Sequence, residues 1–151
     1  MSHVANVEVE VTDLDVLKRA CETLGLEFRE GQRTWKWWGK WENDWNTQDA
    51  AVTNGYDPKL FGKGEHAIRV PGATYEIGVV KNPTGNGYRL IYDNFGSQGR
   101  KISERLGGMK LTKLNAEYTA TMSARQLRRK GFRVTRTVLN NGSIKLKAVK
   151  A

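Results

Sequence analysis

Residues Lys110 to Lys150 read as one long helix followed by a β-hairpin, and no other stretch constrains the fold so tightly. Phe132 to Leu139 and Ser143 to Val149 alternate around Asn140-Asn141-Gly142, the strongest hairpin signal in the chain. Phe132, Val134 and Val138 face one way, with Ile144, Leu146 and Ala148 as partners. Arg133, Thr135 and Thr137 face the other way with Lys145 and Lys147. The helix before them, 110–130, carries Leu111, Leu114, Tyr118 and Met122 on one side and Ala116, Ala120, Ala124 and Leu127 nearly opposite. It therefore packs on two sides, the alanines allowing close approach of a sheet or a partner. Arg125, Arg128, Arg129 and Lys130 crowd its last turn before Gly131. Each offsets the negative helix end by about 0.3–1 kcal/mol. Dipole compensation alone would not also place cations on the hairpin, so helix end and hairpin are read as one cationic surface.

The charge count sharpens this. Met1 to Gly99 holds 11 Lys/Arg against 14 Asp/Glu, and Arg100 to Ala151 holds 14 against 2. One third of the chain thus carries the whole excess of a protein with formal net charge +9. Such a field draws polyanions, so nucleic acid, a nucleotide or an acidic protein surface are the natural partners. A basic surface kept for solubility is the plain alternative.

Upstream, His3 to Val11 alternates, with Val7, Val9 and Val11 on one side, as in a half-buried strand. Thr12 or Asp13 can cap a short helix whose Leu14, Leu17, Cys21 and Leu24 share a face and whose stop is Gly25. A second strand begins over Leu26 to Arg29, and Ala67 to Val70 is a short apolar run ended by Pro71-Gly72. Thr74 to Lys81 and Gly87 to Asp93 form a hairpin across Asn82 to Asn86 and are the candidates for central strands. That loop lacks the Gly-Lys-Ser/Thr of a phosphate-binding loop and is read as a plain turn. Asn94 to Met109 reads as a glycine-rich connector with a helical turn near Ile102 to Leu106. The whole is an α+β domain, mostly antiparallel sheet, spanning 1–151 with a Trp-rich insertion at about 31–64.

That insertion holds all five tryptophans, Trp35, Trp37, Trp38, Trp41 and Trp45, with Lys36 and Lys40 between them. Interleaved Trp and Lys suits base stacking with cation contacts to phosphate. Alternatively Trp35, Trp37 and Trp41 fall on one face of a strand and close the core. Asn54-Gly55, Asp57-Pro58, Gly62 and Gly64 mark a surface loop.

Chemistry is sparse. One cysteine, Cys21, excludes an internal disulfide, and two histidines do not make a Cys/His zinc site. No metal, cofactor or membrane span is expected, and the location expected is cytoplasmic, the host cytoplasm if phage-encoded. Glu76 and Asp93 fall near central strands, but nothing in the spacing pairs them as acid and base.

The opening Met1-Ser2-His3, the Asp13-Leu14 helix start with Leu17 and Leu24-Gly25, Tyr75-Glu76-Ile77-Gly78, Gly87-Tyr88-Arg89-Leu90, Tyr118, Gly131-Phe132 and Gly142-Ser143-Ile144-Lys145-Leu146 occur in family order. In these the chain resembles the family of cyanobacteria and plastids named after hypothetical chloroplast reading frame thirty-five, which also has phage members. The resemblance implies a compact α+β domain and no reaction. The Trp-rich insertion, the basic C-terminal third and Asn141, where the family turn has Asp, depart from its pattern.

Two binding functions remain open. In the first, nucleic acid meets Arg128, Arg129, Lys130, Arg133, Lys145 and Lys147, with Arg125 beside them and Trp35, Trp37 or Trp38 stacking on bases. In the second, an oligomer of the kind phages use against host defence sequesters a small nucleotide messenger. A basic adaptor for an acidic protein is a further alternative.

Overall fold

The computed structural model describes residues 4–38, 60–83 and 86–151. Lys40, Trp41, Trp45, the Asn54-Gly55 and Asp57-Pro58 turns, Thr84-Gly85 and the strand start at His3 lie outside the described residues.

Alternating apolar residues build an antiparallel sheet from β1 (Val4–Val11), β2 (Glu27–Arg29), β3 (His66–Arg69), β4 (Glu76–Lys81) and β5 (Tyr88–Asp93). Their order is β1-β5-β4-β3-β2, so the hairpin expected at the centre is there. Among the described residues β6 (Phe132–Val138) and β7 (Ile144–Lys150) pair only with each other, as a second, two-stranded sheet. Among the described residues the helices are α1 (Leu14–Thr23), α2 (Gly96–Arg105) and α3 (Thr112–Arg129). The fold is α+β, with the short early helix and the long late helix leading into a hairpin that the sequence predicts. Among the described residues no helix is long and apolar enough to cross a membrane.

The period of two gives the large sheet two different faces. Val7, Ile68, Ile77, Val79, Leu90 and Tyr92 point into one core with Leu17, Ala20 and Cys21 of α1, Ile102 of α2 and Leu114 and Tyr118 of α3. Ala67, Val80 and Ile91 point the other way and meet Trp35, Phe61 and Trp37. Burial pushes the Cys21 thiol up to about 12, as suits a side chain that serves packing.

The alternation of β1 is interrupted. Val7 lies opposite Leu90 and Val11 opposite Tyr88, so four steps along β1 match two along β5 across a bulge. Gly87, at φ 84°, lets Val11 come this close, because a Cβ there would sit 2.6 Å from the Val11 carbonyl oxygen.

The helical turn expected near 102–106 is instead a ten-residue helix, α2. Gly99 reads as a helix breaker, yet at this position a Cβ would fall 2.3 Å from the Asn94 carbonyl carbon. Glycine is what allows the first turns of α2 to fold back on the end of β5. Before α3, Leu111 takes a left-handed φ of 53° while fully buried. That backbone costs about 1–2 kcal/mol, against about 1.5–3 kcal/mol from burying a leucine side chain.

Candidate anion-binding surface

The register of the C-terminal hairpin settles which side chains share a face. Thr135 lies opposite Lys147, Thr137 opposite Lys145 and Arg133 opposite Val149. Arg133, Lys145 and Lys147 therefore stand on one exposed outer face with two threonines and no carboxylate, as the alternation predicts. None of the three makes an ion pair among the described residues. The turn is set by Gly142 at φ 85° and by Asn141, whose Oδ1 accepts from the Ser143 N–H at 3.0 Å.

The inner face carries Phe132, Val134, Ile144 and Leu146, half-buried, and the hairpin lies against α3 through it. Arg136, opposite Leu146, belongs to this inner face as well. It donates from Nη2 to Glu117 Oε1 of α3 at 2.6 Å, and Glu117 is only 6% exposed. Arg136 is not among the cations expected at the site, although its even-numbered parity with Phe132, Val134 and Val138 assigns it inward.

The cations at the end of α3 have different surroundings. Arg125 is a correction to the expected site: its Nη1 donates to Asp13 Oδ2 at 2.7 Å. Asp13 is also the cap of α1, accepting from the Val16 N–H at 3.2 Å. The Tyr118 hydroxyl accepts from the N–H groups of Thr12 and Asp13 at 2.9 and 3.1 Å, so Arg125 completes a tie between α3 and the start of α1. Arg129 and Lys130 are exposed beside Gly131, next to Arg133 along the chain. Arg128 is exposed too but lines a cavity on the inner side of the hairpin.

The tryptophans follow the core-closing alternative, which removes Trp35 and Trp37 from the expected stacking site. Trp35 is 2% exposed and its Nε1–H donates to the Lys63 carbonyl at 3.0 Å, so it has no free face for a base. Trp37 is half-buried and edge-on to Phe61, with ring centroids 5.4 Å apart. Trp38 alone of these three is exposed, at 43%. Trp35 and Trp37 belong to the sheet face opposite the helical layer, so the structure does not bring these two together with the cations of α3. Large aromatics lower their free energy more by filling a core than by remaining on a surface. Lys36 is exposed and lines a polar groove of about 610 Å³ with Arg29, Arg69 and Glu76. Lys40 lies outside the described residues.

Glu76 and Asp93 hold this segment in place. Glu76 Oε1 accepts from the Lys36 N–H at 3.0 Å and from Gln32 Nε2 at 3.1 Å. Asp93 accepts from the N–H groups of Trp38 and Phe95 at 3.1 and 3.0 Å. Both carboxylates are buried and engaged with main-chain donors. The chain matches no family model, no curated protein and no solved structure.

Proposed function

We propose that the protein is a non-catalytic binder of phosphate-bearing polymers, nucleic acid first among them, through the outer face of the C-terminal hairpin. The observation that carries this reading is the exposed group of Arg133, Lys145 and Lys147 on one face of the hairpin, free of carboxylates and of ion pairs among the described residues. Residues two apart on a strand are spaced by roughly 6.5–7 Å. Lys145 and Lys147 have that spacing along β7, and Arg133 of β6 lies diagonally across from Lys147 at roughly 7–8 Å, so the three cations are spread over the face in a way that suits a ligand with repeated charge better than a single anion. Arg129 and Lys130 extend the field toward the helix end, where the chain enters β6. Stacking makes a smaller contribution than the tryptophan count alone suggests, because Trp35 and Trp37 serve the core.

Binding of a labelled duplex, measured by fluorescence anisotropy across a salt series, tests the reading. Affinity should fall steeply with salt, since each neutralised phosphate contributes about 0.9 to the log–log slope. Replacing Arg133, Lys145 and Lys147 together with Gln should reduce that slope by roughly 2–3. A salt-independent affinity, or an unchanged slope in the triple variant, would sink the proposal.

A further inference from the structure

α1, α3 and the inner face of the hairpin enclose a cavity of about 190 Å³. Three guanidinium side chains from three different elements line it, Arg19 of α1, Arg128 of α3 and Arg136 of β6, with the hydroxyl residues Thr23 and Thr121 between them. Among the described residues no carboxylate lines it. On the α3 side the wall includes Ala120 and Ala124, whose single-carbon side chains leave open the space a larger residue would fill.

The charges here are unbalanced. Arg19 and Arg128 make no ion pair among the described residues. Arg136 is held through one nitrogen by Glu117, whose second oxygen is buried without a partner among the described residues. A guanidinium has five N–H donors, so this single bond positions Arg136 and leaves donors for a ligand. Like charges gathered around one cavity repel, and a multiply charged anion relieves that repulsion while accepting paired hydrogen bonds from planar guanidinium groups.

We propose that this cavity is a second anion site, taking the terminal phosphate of a small phosphomonoester such as a nucleoside monophosphate. A doubly charged terminal phosphate offers three acceptor oxygens to donors converging from three directions, which a phosphodiester within a polymer does not. A volume of about 190 Å³ admits such a group with the atoms next to it and excludes a duplex. The site faces inward, opposite Arg133, Lys145 and Lys147, and is independent of the polymer-binding reading.

Calorimetric titration of the full chain with AMP, adenosine and inorganic phosphate at low salt tests it. AMP should bind at one site per chain, adenosine at least roughly tenfold more weakly, and inorganic phosphate should compete with AMP. Arg19 and Arg128 are both exposed, so an Arg19→Gln/Arg128→Gln double variant should melt with the parent protein while losing AMP affinity by roughly tenfold or more. The outer-face triple Gln variant should bind AMP like the parent, which separates failure of this site from failure of the polymer surface. Absence of AMP binding, equal binding of adenosine, or unchanged AMP affinity in the double variant would each overturn the proposal.

Discussion

The indole of Trp35 occupies the place a side chain at Gly78 would take: a Cβ there would fall 2.5 Å from the ring. Glycine inside a strand ordinarily weakens it, and here it admits the largest side chain of the second core. Gly78→Ala should therefore destabilise the fold by about 1–3 kcal/mol, read as a lower denaturation midpoint with an unchanged slope. An alanine variant as stable as the parent would mean that the ring does not rest on β4.

Arg136 and Glu117 should respond unequally to truncation. The Arg136 side chain is 38% exposed and can turn to water, whereas the Glu117 side chain is 8% exposed and cannot. Arg136→Ala should cost about 3 kcal/mol by stranding a buried charge, and Glu117→Gln clearly less. Urea denaturation of the two variants checks the order, and the reverse order would contradict the assigned burial.

Arg125 offers a contrast between structure and ligand binding. Its bond to Asp13 joins α3 to the cap of α1, so Arg125→Ala should lower stability by up to about 1 kcal/mol and leave duplex affinity close to that of the parent. Asp13→Ala, which also removes the cap, should cost more, about 1–2 kcal/mol. Thermal melts paired with anisotropy measure both quantities, and a large affinity loss in Arg125→Ala would return this residue to the binding surface.

Acid should loosen the β2 edge. Hydrogen bonds from Arg69 and Arg29 hold the Glu27 carboxyl below its ordinary value, and one from Lys18 does the same to Glu30. A carboxyl whose folded value is depressed contributes stability that is complete above its unfolded value and disappears as pH falls through the folded one. Glu27→Gln should thus be less stable than the parent at neutral pH and lose less on acidification across that window. The exposure of the site makes the difference shrink with added salt. Carboxyl chemical shifts followed against pH should place Glu27 below free glutamate, and titration at or above that value would refute the contact.

The hairpin of β6 and β7 was readable because alternation and an Asn-Gly turn specify register together, and parity then sorts Arg133 from Arg136. The sheet order was partly readable for a similar reason, since two adjacent β-rich runs joined by a short loop belong side by side. Tertiary neighbours decided the rest. Arg125 and Arg128 lie one helical turn apart with the same charge, and only the position of Asp13 makes one of them structural. Arg19 carries no local signal, because its site exists only where α1 meets α3 and the hairpin. The extent of α2 was hidden by Gly99, whose composition suggests a break while its backbone contact with Asn94 requires a helix without a Cβ.

Glu76 and Asp93 grip the chain at residues 36 and 38 by main-chain N–H groups and not by the lysine or tryptophan side chains. Every amino acid but proline supplies that donor, so the path of this segment is insured against mutation at the two positions whose side chains reach solvent. Positions 36 and 38 are places where heredity can rewrite what this face of the protein displays without moving the chain that displays it.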